Sequence, residues 1–192
     1  MFDADKENCL NKLAEHDKSR AGSVDESIVD SVNRINSLNN YYTTSSCAGR
    51  LIILEETENR NKNSVSWVYC SHEIVQERSV FDAILNSNKD NLWMHMEYPI
   101  MHICARSIED ANILLSTAEM CGLRHCGIIA LNKKIIIEII AQERLDIPIA
   151  FGGDFLLKEI ALGYLVNLYN KKIEKSREKI NKFSLLLKKD CK

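Results

Sequence analysis

The chain has 192 residues, of which 45% are hydrophobic and 27% are charged, and it contains only 7 Gly and 2 Pro. This composition is typical of a globular protein with a packed core, and it excludes fibrous and largely disordered chains. No apolar run approaches the roughly 20 residues of a membrane helix. The acidic N-terminus MFDADKENCL lacks the pattern of a signal or transit peptide. We therefore expect a cytoplasmic protein without membrane contact.

The seven cysteines point to the same compartment. Their number is odd, no spacing repeats, and there is no Cys-x-x-Cys pair. This usage is typical of free thiols in a reducing environment, because disulfide frameworks and structural zinc sites use paired and regularly spaced cysteines.

Charge is distributed unevenly along the chain. The formal net charge is -2, yet the segment from Lys158 to the end carries 10 Lys and Arg against 4 Asp and Glu, a surplus of +6. Two interpretations are open: a nucleic-acid contact, or a solvated helix face of no specific function.

Apolar spacing and turn residues predict an alternation of helices and strands. Asp25 and Ser27 are predicted N-caps of the second helix, residues 55–64 a polar loop, and Gly122 the exit of a later helix. The predicted elements are helices over 5–19 and about 27–38, strands over 41–47, 51–54 and 65–71, a helix near 75–87, strands over 91–97 and 100–106, a helix over 108–121, a hairpin of 127–131 with 134–140, a strand over 144–150 and a long helix over about 154–186.

This order predicts the α+β class, with a mixed or antiparallel sheet, flanking helices and a long basic C-terminal helix in one domain over 1–192. The strands and helices do not follow a strict βαβ rhythm, and hairpins imply antiparallel pairing. No Gly-x-Gly-x-x-Gly, P-loop or Gly-x-Ser-x-Gly motif is present. A Rossmann-type dinucleotide site, a nucleotide P-loop and a serine hydrolase elbow are therefore not expected.

The most unusual stretch is YYTTSSCAGR at residues 41–50. Its hydroxyl groups and its glycine suit close approach to a polar ligand, and Arg50 has the planar fork that holds a carboxylate or phosphate. The alternative is a Thr- and Ser-rich strand with a tight turn, in which Cys47 is a small packing residue.

Several other residues allow a functional and a structural interpretation. Cys70 with His72, and His102 with Cys104, would form a Cys₂His₂ metal site only if their strands were neighbours. Cys47 beside a histidine base would be a thiol hydrolase arrangement. Asp25 is either a helix cap or a proton acceptor. Arg106 and Arg124 are each either phosphate contacts or salt-bridge partners.

The stretch 43–50, which we call the hallmark segment, matches the pattern Ser/Thr-x-Ser-Ser-Cys-x-Gly-Arg without a gap. With its flanks it resembles the tRNA wybutosine-synthesizing protein 3 family, over roughly residues 15 to 184. Further matches are GSVD at 22–25, INS at 35–37, Trp67, SH at 71–72, IMHICARS at 100–107, EDA at 109–111, GLR at 122–124, GI at 127–128 and ERLDIP at 143–148.

The resemblance implies S-adenosylmethionine-dependent methylation of ring nitrogen N4 in the tricyclic base at position 37 of phenylalanine tRNA, by a methyltransferase outside the Rossmann class. It implies no metal. The substrate base would leave the anticodon-loop stack, and the basic C-terminal helix would contact the tRNA. Under this resemblance Asp25 is the candidate base and His102 its alternative or partner. Cofactor contacts are expected from Thr43, Ser45, Ser46, Cys47, Gly49 and Arg50. Substrate contacts are expected from Tyr42, Trp67, His72, Arg106 and Arg124.

Two hypotheses from other classes compete with this expectation. One is an RNA-binding module without catalysis, supported by the basic tail and by scattered aromatic residues such as Tyr41. The other is the cysteine hydrolase built on Cys47.

Overall fold

The computed structural model describes residues 1–14, 24–55 and 66–187. Within these ranges the helices are α1 (Phe2–Ala14), α2 (Val29–Asn36), α3 (Glu77–Leu85), α4 (Ile108–Met120) and α5 (Glu159–Leu186), and a short 3₁₀ helix (Glu26–Ile28) precedes α2. The strands are β1 (Tyr41–Cys47), β2 (Arg50–Glu55), β3 (Ser66–Ser71), β4 (Leu92–Glu97), β5 (Ile100–Ala105), β6 (Gly127–Ala130), β7 (Ile135–Ile140), β8 (Leu145–Phe151) and β9 (Asp154–Phe155).

The chain forms two compact units, and its backbone passes between them several times. The first unit comprises Met1–Ala48, Pro99–Gln142 and Ser176–Lys192. The second comprises Gly49–Tyr98 and Glu143–Lys175. The hallmark segment therefore begins in the first unit and ends in the second.

The first unit contains an antiparallel sheet of four strands in the order β1-β5-β7-β6. Strand β5 shows why one face of this sheet is apolar. Met101 and Ile103 belong to the core cluster, whereas His102 and Cys104 alternate with them and lie on the opposite face. The core also takes buried residues from the 3₁₀ helix, α2, α4 and the end of α5, among them Ile28, Val32, Ile35, Leu114, Ala118, Ile180 and Phe183.

The second unit contains an antiparallel sheet of five strands in the order β3-β2-β4-β8-β9. Strand β2 lies between two neighbours, and its consecutive residues Leu51, Ile52 and Ile53 are all buried. The core of this unit also contains buried residues of α3 and of the first half of α5, among them Val80, Ile84, Leu162, Val166, Tyr169 and Ile173.

Helix α5 contributes to both cores. Its buried positions recur at intervals of three or four residues along the whole helix, which is the spacing of a helix packed along one stripe. Although its second half is rich in Lys and Arg, that half buries Ile173, Ile180 and Phe183 completely. The basic segment is therefore part of the packed structure. None of the helices in the described ranges has the length and apolar character that crossing a membrane requires.

The α+β prediction is confirmed, including the antiparallel sheets, the flanking helices and the long C-terminal helix. The helix α4 ends as predicted at Gly122, which has φ +76 and completes a Schellman motif: Leu123 N–H donates to the Ala118 carbonyl, and Gly122 N–H to that of Glu119. The interpretation of 1–192 as one methyltransferase domain stays a prediction.

Several predicted boundaries are wrong. The second helix begins with the 3₁₀ turn, and α5 starts at Glu159 rather than near 154, because β9 pairs with β8 across the Gly152-Gly153 turn. The first helix begins at Phe2, and its predicted end at 15–19 lies outside the described residues, as do the Gly22-Ser23 break and most of the 55–64 loop.

Candidate functional site

The turn that follows β1 is held by two side chains that bind the backbone of one residue of the hallmark segment. The Asp25 carboxylate accepts a hydrogen bond from the Ala48 N–H at 2.7 Å. From the other side, Arg177 Nε donates to the Ala48 carbonyl at 3.1 Å. Because Ala48 is fully buried, water cannot replace these bonds, and the two side chains fix the position of the turn.

The prediction that the Asp25 side chain caps a helix is wrong. Asp25 occupies the N-cap position of the 3₁₀ helix, but its side chain makes no capping hydrogen bond there. The carboxylate instead accepts the hydrogen bond of the Ala48 N–H, which would otherwise lack an acceptor in the turn that follows β1.

Asp25→Ala should therefore destabilise the protein by about 1–3 kcal/mol, because it leaves the buried Ala48 N–H without an acceptor. Asp25→Asn should cost less, since its amide oxygen can still accept that bond. Thermal and urea unfolding of both variants would measure the difference. Equal stabilities for the alanine variant and the unmodified chain would exclude this anchoring role.

Thr43 is buried and bound to a neighbouring side chain, and its cofactor contact stays a prediction. Its side chain is 2% exposed. Its N–H donates to Asn36 Oδ1 at 2.7 Å, and its hydroxyl oxygen accepts from Asn36 Nδ2 at 3.0 Å. Both polar groups of Thr43 are thus already engaged by the residue that ends α2.

Ser45 and His102, which the sequence suggested for different roles, lie in direct contact. Ser45 Oγ lies 2.8 Å from His102 Nδ1. The other ring nitrogen of His102, Nε2, lies 3.1 Å from Glu138 Oε2. The three residues lie on the neighbouring strands β1, β5 and β7, and the His102 side chain is 30% exposed.

The register of β1 creates this contact. Thr43 pairs with Ile103, but the register then shifts, so that Ser45 rather than Thr44 pairs with His102. Irregularities of this kind redirect side chains and are enriched beside active sites. Ser46 and Cys47, the next members of the hallmark segment, pair with Met101 and Ile100 and are half-buried.

In the second unit, Arg50 binds two of its own neighbours. Its Nε lies 2.5 Å from Glu97 Oε2, and its guanidinium lies 4.9 Å from the centroid of the Trp67 ring. The Arg50 side chain remains 27% exposed and Trp67 is 47% exposed.

Gly49, just before Arg50, has φ +77, a backbone conformation that residues with a Cβ rarely adopt. His72 is half-buried and follows the end of β3.

Tyr42 does not offer a stacking platform. The rings of Tyr41 and Tyr42 are buried, at 4% and 1% exposure, and Tyr42 meets the ring of Phe2 edge-on at 5.2 Å. Burial leaves little ring surface for stacking, and the substrate contact of Tyr42 stays a prediction. Burial also raises the pKa of the Tyr42 phenol.

A groove of about 400 Å³ in the first unit brings Tyr42 and Arg106 together, and Cys104 and Lys134 also line it. Arg106 forms an ion pair with Asp3 and lies 4.3 Å from the Phe2 ring centroid. The guanidinium holds the pKa of the Asp3 carboxyl below its usual value. Arg106 thus acts as a salt-bridge partner here.

The strands of the two predicted Cys/His pairs are not neighbours in a sheet. Cys70 lies on β3, whose partner is β2, whereas His102 and Cys104 lie on β5, whose partners are β1 and β7. The six cysteines within the described ranges are free thiols. Arg124 is exposed just after α4.

Comparison with known proteins decides the family. The family model described as Methyltransferase TYW3 matches residues 4–189. The chain belongs to this methyltransferase family. It is 36% identical over 182 residues, 94% of this chain and 91% of its relative, to a Thermococcus sibiricus protein named tRNA(Phe) 7-((3-amino-3-carboxypropyl)-4-demethylwyosine(37)-N(4))-methyltransferase.

A eukaryotic relative and a solved structure agree with this membership. A tRNA wybutosine-synthesizing protein 3 homolog from Xenopus laevis is 35% identical over 184 residues, covering 91% of this chain and 73% of that protein. The solved structure of the PH1069 protein from Pyrococcus horikoshii superposes with a TM-score of 0.86 at 32% identity, over 96% of this chain and 94% of that one. The resemblance inferred from the hallmark segment is confirmed.

The sequence pattern assigned no functional role to three residues of this site. Asn36 lies in the matched INS triplet, which carried no role of its own. Arg177 lies in the basic helix and was counted only as charge. Glu138 interrupts the isoleucine run of β7, and a charge inside an apolar strand was the available signal for a functional position.

Proposed function

We propose that this protein methylates N4 of the tricyclic wybutosine-precursor base at position 37 of phenylalanine tRNA. The observation that carries the proposal is its 36% identity, over 94% of the chain, to the Thermococcus sibiricus enzyme of that name. Neither the RNA-binding module without catalysis nor the cysteine hydrolase has support among these relatives.

The methyl donor in this proposal is S-adenosylmethionine, which supplies an electrophilic methyl group bonded to a sulfonium. The residue types of the hallmark segment fit such a molecule. Arg50 has a planar guanidinium that suits a carboxylate and a side chain that is 27% exposed. Ser45 and Ser46 offer hydroxyl groups, and Gly49 allows close backbone approach. Cys47 contributes a small side chain, and Thr43 supports the segment through Asn36 without a free hydroxyl.

In this proposal His102 is the base for the proton released on methylation of N4, and Asp25 holds the turn that follows β1. An accepting base needs a ring nitrogen or carboxylate near an accessible polar surface. His102 has that exposure and faces a hydroxyl, whereas an oxygen of Asp25 is engaged by the Ala48 N–H. The protein's main contribution is alignment, because methyl transfer is an in-line displacement.

Substrate recognition follows the rules for single-stranded RNA loops, which use stacking and phosphate contacts. Trp67, which is 47% exposed, is the aromatic residue proposed to stack on the substrate. Arg106, Arg124 and His72 remain proposed contacts, and Arg106 would exchange Asp3 for a phosphate. Exposed lysines of α5, such as Lys171 and Lys182, would add electrostatic attraction. The reaction is proposed to take place in the cytoplasm.

The test is nucleoside mass spectrometry of phenylalanine tRNA that carries the demethylated precursor. After incubation with the protein and S-adenosylmethionine, the modified nucleoside should gain one methyl group. Phenylalanine tRNA with an unmodified guanosine at position 37 is the matched control and should remain unchanged. Binding of the precursor tRNA without any mass gain would favour the RNA-binding module.

Arg50→Ala should weaken binding of S-adenosylmethionine about 10-fold, because the variant can no longer donate a charged hydrogen bond to the carboxylate. Calorimetric titration measures this, with Arg78→Ala as the control. Arg78 also pairs with a neighbouring carboxylate, that of Asp82, in the same unit. If tRNA affinity fell while cofactor affinity did not change, Arg50 would be a phosphate contact instead.

A further inference from the structure

Three polar side chains form a continuous hydrogen-bonded row across the sheet of the first unit. The pairings Ser45 with His102 and His102 with Glu138 place them on three adjacent strands, at matching register positions. Their contacts are 2.8 Å from Ser45 Oγ to His102 Nδ1 and 3.1 Å from His102 Nε2 to Glu138 Oε2.

The chemistry of these groups fixes the direction of each hydrogen bond. A carboxylate only accepts, so Nε2 of His102 must donate its proton to Glu138. In the neutral imidazole the other nitrogen, Nδ1, then carries the lone pair and accepts from the Ser45 hydroxyl. The row therefore holds a basic nitrogen directed at a hydroxyl group that is itself exposed.

We infer that Glu138 is a positioning residue for His102, and that Ser45 relays the substrate proton to it. This inference rests on the proposed function. As N4 of the base forms its bond to the methyl carbon, the carbon–sulfur bond of S-adenosylmethionine breaks, and its electron pair stays on the sulfur of the S-adenosylhomocysteine that leaves. The N4–H bond breaks as well, and that proton passes to Ser45 Oγ. The original Ser45 hydroxyl proton passes to His102 Nδ1, and the imidazolium so formed is stabilised by the Glu138 carboxylate. The proton then leaves to water from the exposed ring.

Ser45 consequently touches the substrate in this inference, whereas the resemblance suggested a cofactor contact. The two assignments differ in a measurable way. If Ser45 binds the cofactor, Ser45→Ala should weaken the affinity for S-adenosylmethionine. If Ser45 relays the proton, the same variant should slow methyl transfer and leave that affinity unchanged.

The second unit offers a matched control for the histidine and carboxylate pair. His95 Nδ1 lies 2.6 Å from Asp146 Oδ1, on the paired strands β4 and β8, with exposures of 28% and 35%. This pair is as accessible as that of His102 and Glu138, at 30% and 31%. Asp146→Asn therefore reports the effect of removing a carboxylate from a comparable pair elsewhere on the protein.

The first measurement needs no substrate. Two-dimensional ¹⁵N–¹H spectra that correlate imidazole nitrogens with ring protons distinguish the two neutral tautomers of His102. We expect protonation at Nε2 in the unmodified chain, retention of that tautomer in Glu138→Gln, which keeps an accepting oxygen, and a mixture in Glu138→Leu. Asp146→Asn should leave the His102 signals unchanged.

The second measurement is the single-turnover rate of methyl transfer. Glu138→Leu and Ser45→Ala should each slow transfer about 10-fold or more, because acid–base catalysis contributes roughly 100-fold or more when intact. Glu138→Gln should recover part of the rate. The affinity of these three variants for S-adenosylmethionine should stay within about twofold of that of the wild-type protein. Asp146→Asn should transfer the methyl group at the wild-type rate.

Two results would overturn this inference and leave the proposed function standing. One is protonation of His102 at Nδ1 in the wild-type protein, and the other is methyl transfer by Glu138→Leu at the wild-type rate. Weakened cofactor binding with unchanged saturated turnover in Ser45→Ala would return Ser45 to the cofactor and remove the relay. Absence of any transfer by the unmodified protein would overturn the proposed function, and the proton path with it, whatever tautomer the spectra show.

Discussion

His102→Asn should slow methyl transfer about 100-fold under single-turnover conditions, because it removes the base that takes up the proton released in the reaction. Asparagine is smaller than histidine and remains polar, so the partly exposed position 102 on β5 should tolerate it. Binding of S-adenosylmethionine and of tRNA should change little, since the substitution affects the transition state. Rapid-quench assays with saturating enzyme separate the chemical step from binding.

Two comparison variants decide what such a reduced rate means. His95→Asn removes a similarly exposed histidine from the second unit and should retain the unmodified rate. Asp25→Asn preserves an acceptor for the Ala48 N–H and should slow transfer by less than about tenfold, in contrast to a true base. If Asp25→Asn slowed transfer as strongly as expected here for His102→Asn, and His102→Asn did not, Asp25 would be the base and the assignment of His102 would be wrong.

The pattern of the sequence predicted most of the fold because each element carries its own local signal. The alternation of Met101 and Ile103 with His102 and Cys104 defines β5 without tertiary information. Partner strands carry no such signal. The successive strands β1 and β2 enter different sheets, as do β4 and β5, and only the structure shows this.

The candidate site was predicted in part, and its gaps have a physical cause. Residue types and the hallmark pattern identified Ser45, His102 and Asp25 as chemically capable. Their partners are set by long-range pairing and by the register shift in β1, which places Ser45 instead of Thr44 opposite His102. Regular alternation cannot predict such a shift. Glu138 and Arg177, distant in sequence from the residues that they contact, therefore could not be assigned to the site.

The basic C-terminal segment was interpreted only as charge for a related reason. Its lysines dominate the composition, but buried residues at helical spacing lie between them. Removing everything after Asn170 would delete Ile173, Ile180 and Phe183 from the two cores, so this truncation cannot test tRNA binding alone. Substitutions that preserve the core are required.

Phe183→Ala should destabilise the protein by about 3–5 kcal/mol, because it removes a large buried ring and leaves a cavity. Phe183 is fully buried in the core of the first unit, with Ile180 on the same stripe of α5. In a protein of this size that destabilisation corresponds to a fall of roughly 10 °C in melting temperature. Calorimetry or thermal circular dichroism measures it directly.

The adjacent Lys182 provides the matched control, since its side chain is exposed on the same turn of α5. Lys182→Ala should change the melting temperature little, because exposed substitutions away from special contacts have small effects on stability. It should instead lower tRNA affinity slightly and reduce the dependence of that affinity on salt. If Phe183→Ala had the same melting temperature as the wild-type protein, the C-terminal half of α5 would not be part of the core. The basic segment would then be a separable RNA-binding arm, and deleting it would become a valid test of tRNA binding.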